Sequence, residues 1–392
     1  MPTPCLNSPS ILRRHCSTVA CQGTEYEKIR IMSTSGAHEF MNIAREAAGE
    51  AVNMGFRIGN KIHARRERRA ERNQLEPVIV PSVGYGSEGW VRVLGRVLYK
   101  TDLFEEFFDS VEKGDPAVEP VRGWRSFTSV AISYAKITVE IAGVTHEVQA
   151  DRGGVVDVRL EQQLEPGMHD VTMRTDGGHP AKTSVYIVPK DQQIGIICDV
   201  DDTVMNTALP RPLLAAWNSF VLNEHARSAT PGMAVMMDRL HCTYPSAPFM
   251  YLSTGAWNVA PTLRRFLHRN GYPKGTFLLT DWGPTPDRWF RSGQQHKVST
   301  LKRLAAEFPH ITWILIGDDG QHDPEIYNGF AVRYPHNVKA ILIRNLTFGE
   351  SVLSSGRVWG DNRAQEITKG ALWLEGNDGT ALYEQLKERG LV

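Results

Sequence analysis

Ile194-Gly195-Ile196-Ile197-Cys198-Asp199-Val200-Asp201-Asp202-Thr203 is the stretch on which the fold turns. An apolar strand, Ile194–Cys198, runs straight into three aspartates in four positions. Like charges repel, so such a cluster is costly unless a cation compensates it. Oxygen ligands in this number suit a hard divalent ion such as magnesium. Asp and Thr also serve in turns and helix caps. A buried strand leading directly into an Asp-x-Asp-x-Thr pattern favours a chemical site over a turn.

Downstream, short apolar runs alternate with helical segments. Phe249–Leu252, Phe277–Leu279, Trp313–Ile316 and Ala340–Ile343 read as strands. Residues 232–241, a segment from about Pro261, and His296–Phe308 read as helices. Strands alternating with helices give a parallel sheet covered by helices on both faces. Ligands in such folds bind at the carboxyl ends of the strands. The second strand ends in Ser253 and Thr254, whose hydroxyls can donate to a phosphate oxygen. Lys297 opens a helix, where an ammonium can neutralise phosphate and restrain neighbouring aspartates. A lone lysine is more often a solvated surface residue. The strand Trp313–Ile316 runs into Gly317-Asp318-Asp319-Gly320-Gln321-His322-Asp323, a second acidic cluster at an equivalent strand end.

These pieces, in this order, resemble the haloacid-dehalogenase superfamily over residues 194–345: Asp199/Asp201/Thr203, Ser253, Lys297, then Gly317/Asp318/Asp323. More closely, the chain resembles the catalytic domain of actin-patch-associated phosphatidate phosphatases, in particular bacterial members. Asp199–Thr203, Tyr251–Asn258, His296-Lys297 and Ile316–Tyr327 carry that likeness. Where that family has Ser-Ser-Pro-Trp, this chain has Ser253-Thr254-Gly255-Ala256-Trp257. The resemblance implies a magnesium-dependent phosphatase. Asp199 would be the nucleophile that becomes phosphorylated, and Asp201 the general acid and base. Thr203, Ser253 and Thr254 would lie on the substrate side, Thr203 steadying its loop, with Ser253 and Lys297 holding phosphate oxygens. Asp199, Asp318, Asp323 and the backbone carbonyl of Asp201 would bind magnesium, with Asp319 competing with Asp323 for the outer place. The expected reaction is phosphatidate to diacylglycerol. A small soluble phosphomonoester, a phospho-acceptor signalling domain and a catalytically dead binding module are the competing readings.

Upstream, residues 77–190 are different. Val78–Val80, Val91–Leu94, Ile137–Ile141 and Ser184–Val188 are β-branched and partly alternating, separated by Gly and Asp turns. They imply a small antiparallel domain resembling a β-sandwich. Before it, residues 36–76 hold an amphipathic helix whose second half carries Lys61, Arg65, Arg66, Arg68, Arg69 and Arg72. That helix either packs on the body or lies on an anionic membrane surface. Residues 1–35 are expected to be disordered, with Met32 as an alternative start, and residues 350–392 form a C-terminal extension. The apolar segment Thr207–Val221 reads as a cap over the site, as a contact for lipid tails, or as a core helix.

The expected whole is α/β: a haloacid-dehalogenase-like Rossmannoid parallel sheet over 191–349, preceded by the β-domain and the helix. Lys+Arg and Asp+Glu balance at 44 each, so no global basic field for nucleic acid exists. Five cysteines without a metal-binding spacing suggest a reducing, cytoplasmic setting, with membrane association left to the basic helix.

Overall fold

In the computed structural model, residues 61–100, 130–206, 228–280, 293–320, 322–347 and 370–392 are described. The expected helix before residue 61, the stretch 101–124, which reads from the sequence as a loop with one helical turn, and the apolar segment 207–221 lie outside the described residues.

Helix α1 covers 61–72. It ends where Gln74 turns left-handed (φ 53) and Leu75 N bonds Ala70 O at 3.1 Å. The helix packs on the body through His63, Glu67 and Ala70, a face repeating at four and three residues. Glu67 Oε1 accepts from Ser133 N at 2.8 Å, and His63 Nε2 lies 3.0 Å from Ser133 Oγ.

Seven strands follow: β1 Pro77–Ser87, β2 Trp90–Tyr99, β3 Lys136–Ile141, β4 Val144–Gln149, β5 Val155–Glu161, β6 Gly167–Thr175 and β7 Ala181–Val188. They form one sheet in the order β4-β3-β6-β7-β1-β2-β5. This corrects the expected antiparallel sandwich. The sheet is single, and it is mixed, because β1 pairs parallel with β7. It curls until its edges meet. Just beyond β5, Gln162 bonds His146 of β4 (2.8 Å) and Ile141 O of β3 (2.8 Å). A register shift between Ser82 and Tyr85 supplies bending in β1. Gly84 permits it: a Cβ there would sit 2.3 Å from Arg92 O. Alternating side chains such as Val91, Val93, Val139, Met173 and Ile187 fill the curled interior.

The second layer comprises β8 Ile194–Asp199, β9 Met205–Asn206, β10 Ser228–Ala229, α2 Met233–Thr243, β11 Phe249–Ala256, α3 Ala260–Arg269 and β12 Thr276–Thr280. It continues through α4 Gly293–Glu307, β13 Thr312–Asp318, α5 Asp323–Arg333, β14 Val338–Arg344, β15 Leu372–Gly376 and α6 Gly379–Glu388. Apart from the short β9–β10 ribbon, its strands make a parallel sheet ordered β12-β11-β8-β13-β14-β15. Ile314, Leu315 and Ile316 are buried in succession, as expected for strands covered on both sides. The sheet does not stop at residue 349: β15, in the region read as an extension, is its edge strand, and α6 packs on α2. After β8 the chain builds outward through β11 and β12, then crosses to β13 on β8's other side. The switch point therefore lies between β8 and β13, the place where open α/β sheets hold ligands.

Both sheets belong to one compact unit, Ile58–Val392. Helix α4 joins them with two faces. Lys297, Leu301 and Leu304 are buried towards the parallel layer. His296, Thr300, Arg303 and Glu307 form a second stripe at steps of four, three and four. Glu307 accepts from Tyr85 Oη (2.8 Å) and Arg92 Nε (3.0 Å), and Arg303 reaches Asp157 (2.7 Å), which Arg92 also binds (2.6 Å). Phe308 closes the contact against Tyr85 and Trp90.

Candidate active site

Asp199 and Asp318 end adjacent parallel strands, and Ser253 follows the residue paired with Asp199 across β8 and β11. The sheet thus delivers three of the sequence candidates to one crevice. The chain after Asp199 coils tightly: Val204 N bonds Val200 O, and Asp202 sits at φ 59. Asp is among the few residues that accept this conformation. Arg344, at the end of β14, donates to Asp202 O at 2.6 Å and clamps the turn.

Lys297 Nζ lies 2.6 Å from Asp199 Oδ1 and 2.5 Å from Asp323 Oδ1. It is 2% exposed, so the alternative of a solvated lysine is excluded. Thr203 Oγ1 lies 3.3 Å from Asp199 Oδ2 and 3.3 Å from Asp318 Oδ2. Ser253 Oγ donates to Asp201 Oδ2 at 3.0 Å and accepts from Gly255 N at 2.9 Å. Asp318 Oδ1 accepts from Gly320 N at 2.8 Å. Thr254 is set differently: its Cβ and methyl lie against Gly293 at the start of α4.

Asp319 and Asp323 part company. Asp319 turns to Leu346 N (2.8 Å) and ties the loop to the end of β14. Asp323, in the first turn of α5, is fully buried beside Lys297. Gly317 makes room for it, since a Cβ there would stand 2.5 Å from Asp323 Oδ2. Tyr327, buried behind Asp323, donates to Ile316 O (3.2 Å).

Asp199, Asp318 and Asp323 each offer an oxygen within 4.8 Å of the others. The Asp201 carboxylate is not one of this group. Among the described residues Asp323 Oδ2 finds no hydrogen-bond donor. Burial above all lifts the Asp199 carboxyl well above the usual carboxylate range; Lys297 opposes this, while Asp323 and Asp201 add to it. Asp318 is raised in the same way, by burial and then by Asp323 and Asp199. Burial disfavours the Lys297 ammonium, yet the surrounding carboxylates outweigh it and raise its pKa. Among the described residues, one ammonium against the carboxylates of Asp199, Asp318 and Asp323 leaves an excess of negative charge in a dry crevice. A trio of hard oxygen donors with an unpartnered atom fits a hard divalent cation.

His296 donates from Nε2 to Leu278 O at 3.2 Å. Burial chiefly pushes its pKa down to about 4, against the pull of that bond, and Arg303 and Lys297 add to the depression. It is therefore neutral in the fold. Its folded value lies below an unfolded value near 6.5, so its contribution to stability is complete above that value and is lost as pH falls towards 4. Urea unfolding should show a loss of up to about 3 kcal/mol from this group over that window. His296→Gln should flatten the profile; identical profiles would refute the assignment.

Arg344, Asp202 and Tyr327 are given no role of their own by the sequence. Arg344 ends an apolar strand at the carboxyl side of the sheet, which was the available signal.

A parallel α/β layer with a buried carboxylate cluster and a buried lysine at its switch point defines a candidate enzyme site. Residues 194–345 match the family described as phosphatidate phosphatase APP1, catalytic domain. Phosphatidate phosphatase APP1 of Saccharomyces cerevisiae is 25% identical over 200 residues, 50% of this chain and 34% of the yeast protein. An uncharacterized protein of Schizosaccharomyces pombe is 26% identical over 157 residues, covering 39% and 25% respectively. The chain thus spans about a third or less of the length of these relatives. A carbohydrate acetylesterase from Xanthomonas citri is similar at 10% identity over 68% of each chain, with a TM-score of 0.24, too low to bear on fold.

Proposed function

We propose that this protein is a magnesium-dependent phosphatase of the haloacid-dehalogenase type. Its proposed reaction is hydrolysis of a phosphomonoester, phosphatidate to diacylglycerol, through an aspartyl phosphate on Asp199. The observation that carries the reading is the setting of Asp199. Its carboxylate is held by Lys297 and Thr203, while Asp201, two residues on, is bonded to Ser253. The likeness of residues 194–345 to the phosphatidate phosphatase catalytic domain supports the choice of substrate.

An Asp199 carboxylate oxygen attacks phosphorus, and the bond from phosphorus to the alkoxide breaks. Asp201 gives its proton to that alkoxide. It then takes a proton from water, whose oxygen attacks phosphorus and releases Asp199 and inorganic phosphate. The Ser253 hydroxyl, between Asp201 and Gly255 N, is placed to donate to a phosphate oxygen once Asp201 carries its proton. Lys297 neutralises charge on the transferred group and restrains Asp199 and Asp323 from repelling one another. Asp199, Asp318 and Asp323 would hold magnesium, with the Asp201 carbonyl as a further ligand. The ion supplies electrostatic stabilisation of the phosphoryl group.

The test is magnesium-dependent phosphate release from phosphatidate in mixed micelles, beside a soluble phosphomonoester. Release from phosphatidate well above the soluble ester is expected. Release from the soluble ester alone would keep the mechanism and replace the substrate. Long-lived phosphorylation without released phosphate would indicate a phospho-acceptor domain, and magnesium binding with neither a dead module.

A further inference from the structure

Helix α1 turns two different faces outward and inward. His63, Glu67 and Ala70 meet the curled sheet; Lys61, Arg65, Arg66, Arg68, Arg69 and Arg72 are exposed. The helix's two carboxylates face the body, Glu67 on Ser133 and Glu71 on Tyr99 Oη at 3.4 Å. Arg68 and Arg72 bond the carbonyls of Ala64 and Arg68, contacts that take up no charge. Beside this basic face, Ile62 is 51% exposed and Tyr134 56% exposed. Tyr134 adjoins Ser133, the residue that docks the helix. A dense row of cations flanked by an aliphatic and an aromatic side chain is the composition that binds anionic lipid interfaces.

The packing fixes where this face lies. Strand β2 starts at Trp90 against Phe308 and passes Arg92 at Glu307. Asp157, which pairs with Leu94, then lies at Arg303. It therefore runs antiparallel to α4, towards the helix's N-terminus. Ten residues of strand advance about 30 Å, and fifteen of helix about 22 Å. Run straight, the strand would bring Tyr99, with α1 on it, level with Gly293, at the end where Lys297 meets the acidic cluster. A cleft of about 460 Å³ gives the same placement: Gln149 and Asp151 line it together with Trp257, Thr280 and His296. Gln149 and Asp151 bond the Tyr134 backbone. Basic helix and carboxylate crevice thus fall towards the same end of the described unit.

We propose that this end is a docking face for an anionic bilayer, with α1 along the headgroups and the crevice presented to the same surface. Its orientation rests on the phosphatase reading; its charge and position do not. No helix among the described residues is long and apolar enough to cross a membrane.

The test is flotation of the full chain with phosphatidylcholine vesicles, with and without phosphatidylglycerol, at low and high salt. Wild type should bind only the anionic vesicles, and less at high salt. Combined Lys61→Gln, Arg65→Gln, Arg68→Gln, Arg69→Gln and Arg72→Gln should weaken binding at least roughly 30-fold. The same variant should lose turnover of vesicle-borne phosphatidate while hydrolysing a soluble phosphomonoester as wild type does. Ile62→Ser with Tyr134→Ser should weaken binding a few-fold and leave the salt dependence intact. Equal binding to neutral vesicles, unchanged binding by the charge variant, or binding to duplex DNA in place of vesicles would overturn the proposal. Should wild type turn over neither ester, the phosphatase reading falls, and the vesicle arm still decides the docking face.

Discussion

Asp199→Asn is expected to abolish phosphate release and to raise the melting temperature of the metal-free protein at neutral pH. Loss of the proposed nucleophile should lower turnover by roughly 10³-fold or more. The stability gain follows from the sign of the pKa shift. Burial lifts the Asp199 carboxyl well above its unfolded range, so the fold prefers it protonated. Such a group favours the fold below its unfolded pKa, and that benefit disappears as pH rises through the folded value. At neutral pH the ionised carboxylate is a burden that asparagine removes with little change of shape. Lys297 keeps Asp323 at 2.5 Å, so the substitution does not strand the ammonium. A gain of about 1–2 kcal/mol is expected, of the size reached when strained sites are relieved. Calorimetry at neutral pH measures it. A lower melting temperature, or residual turnover near wild type, would contradict the electrostatic reading of the crevice.

Lys297→Met has the opposite sign. It removes what is, among the described residues, the one cation that bonds both Asp199 and Asp323, and leaves those carboxylates, with Asp318, without it in a dry site. Breaking a buried ion pair from one side costs roughly 3–5 kcal/mol. Unfolding in urea should show a loss of that order at neutral pH, shrinking on acidification as the carboxylates protonate. Phosphate release should vanish. Combining it with Asp199→Asn should cost less than the two effects taken independently, because the partners share one network. A loss that does not change with pH would mean that packing of the lysine stem, rather than charge, dominates.

The parallel layer was legible because its strands are short apolar runs between helical segments, and Asp199, Lys297 and Asp318 lie where those runs end. The choice between Asp319 and Asp323 was not legible. Both follow Gly317 at usable distances, and only the fold shows Asp319 engaged by Leu346 N. Pairing in the first sheet was equally hidden. Alternation identifies strands, but the parallel β1–β7 pair depends on contacts between residues about a hundred positions apart. Strand β15 escaped notice because Leu372-Trp373-Leu374-Glu375-Gly376 is short and partly exposed. The helix after it opens with Asp378 capping Ala381 N at 2.9 Å. Lys297 was ambiguous for a physical reason: sequence cannot say which of the two faces of α4 meets a sheet when both do.

The polar stripe His296, Thr300, Arg303 and Glu307 has a bearing on modularity. Glu307 and Arg303 are bound by Tyr85, Arg92 and Asp157, all from the first sheet. Cutting the chain near residue 191 would strip α4 of those partners and leave charged groups on the helix that carries Lys297. The matched segment 194–345 also omits β15 and α6, which complete the parallel sheet's far edge. The matched portion is therefore smaller than the compact unit, Ile58–Val392, in which it sits. In this molecule the unit of sequence likeness and the unit of folding differ, and grafting the segment onto another chain would transplant the reactive groups without the scaffold that aims them.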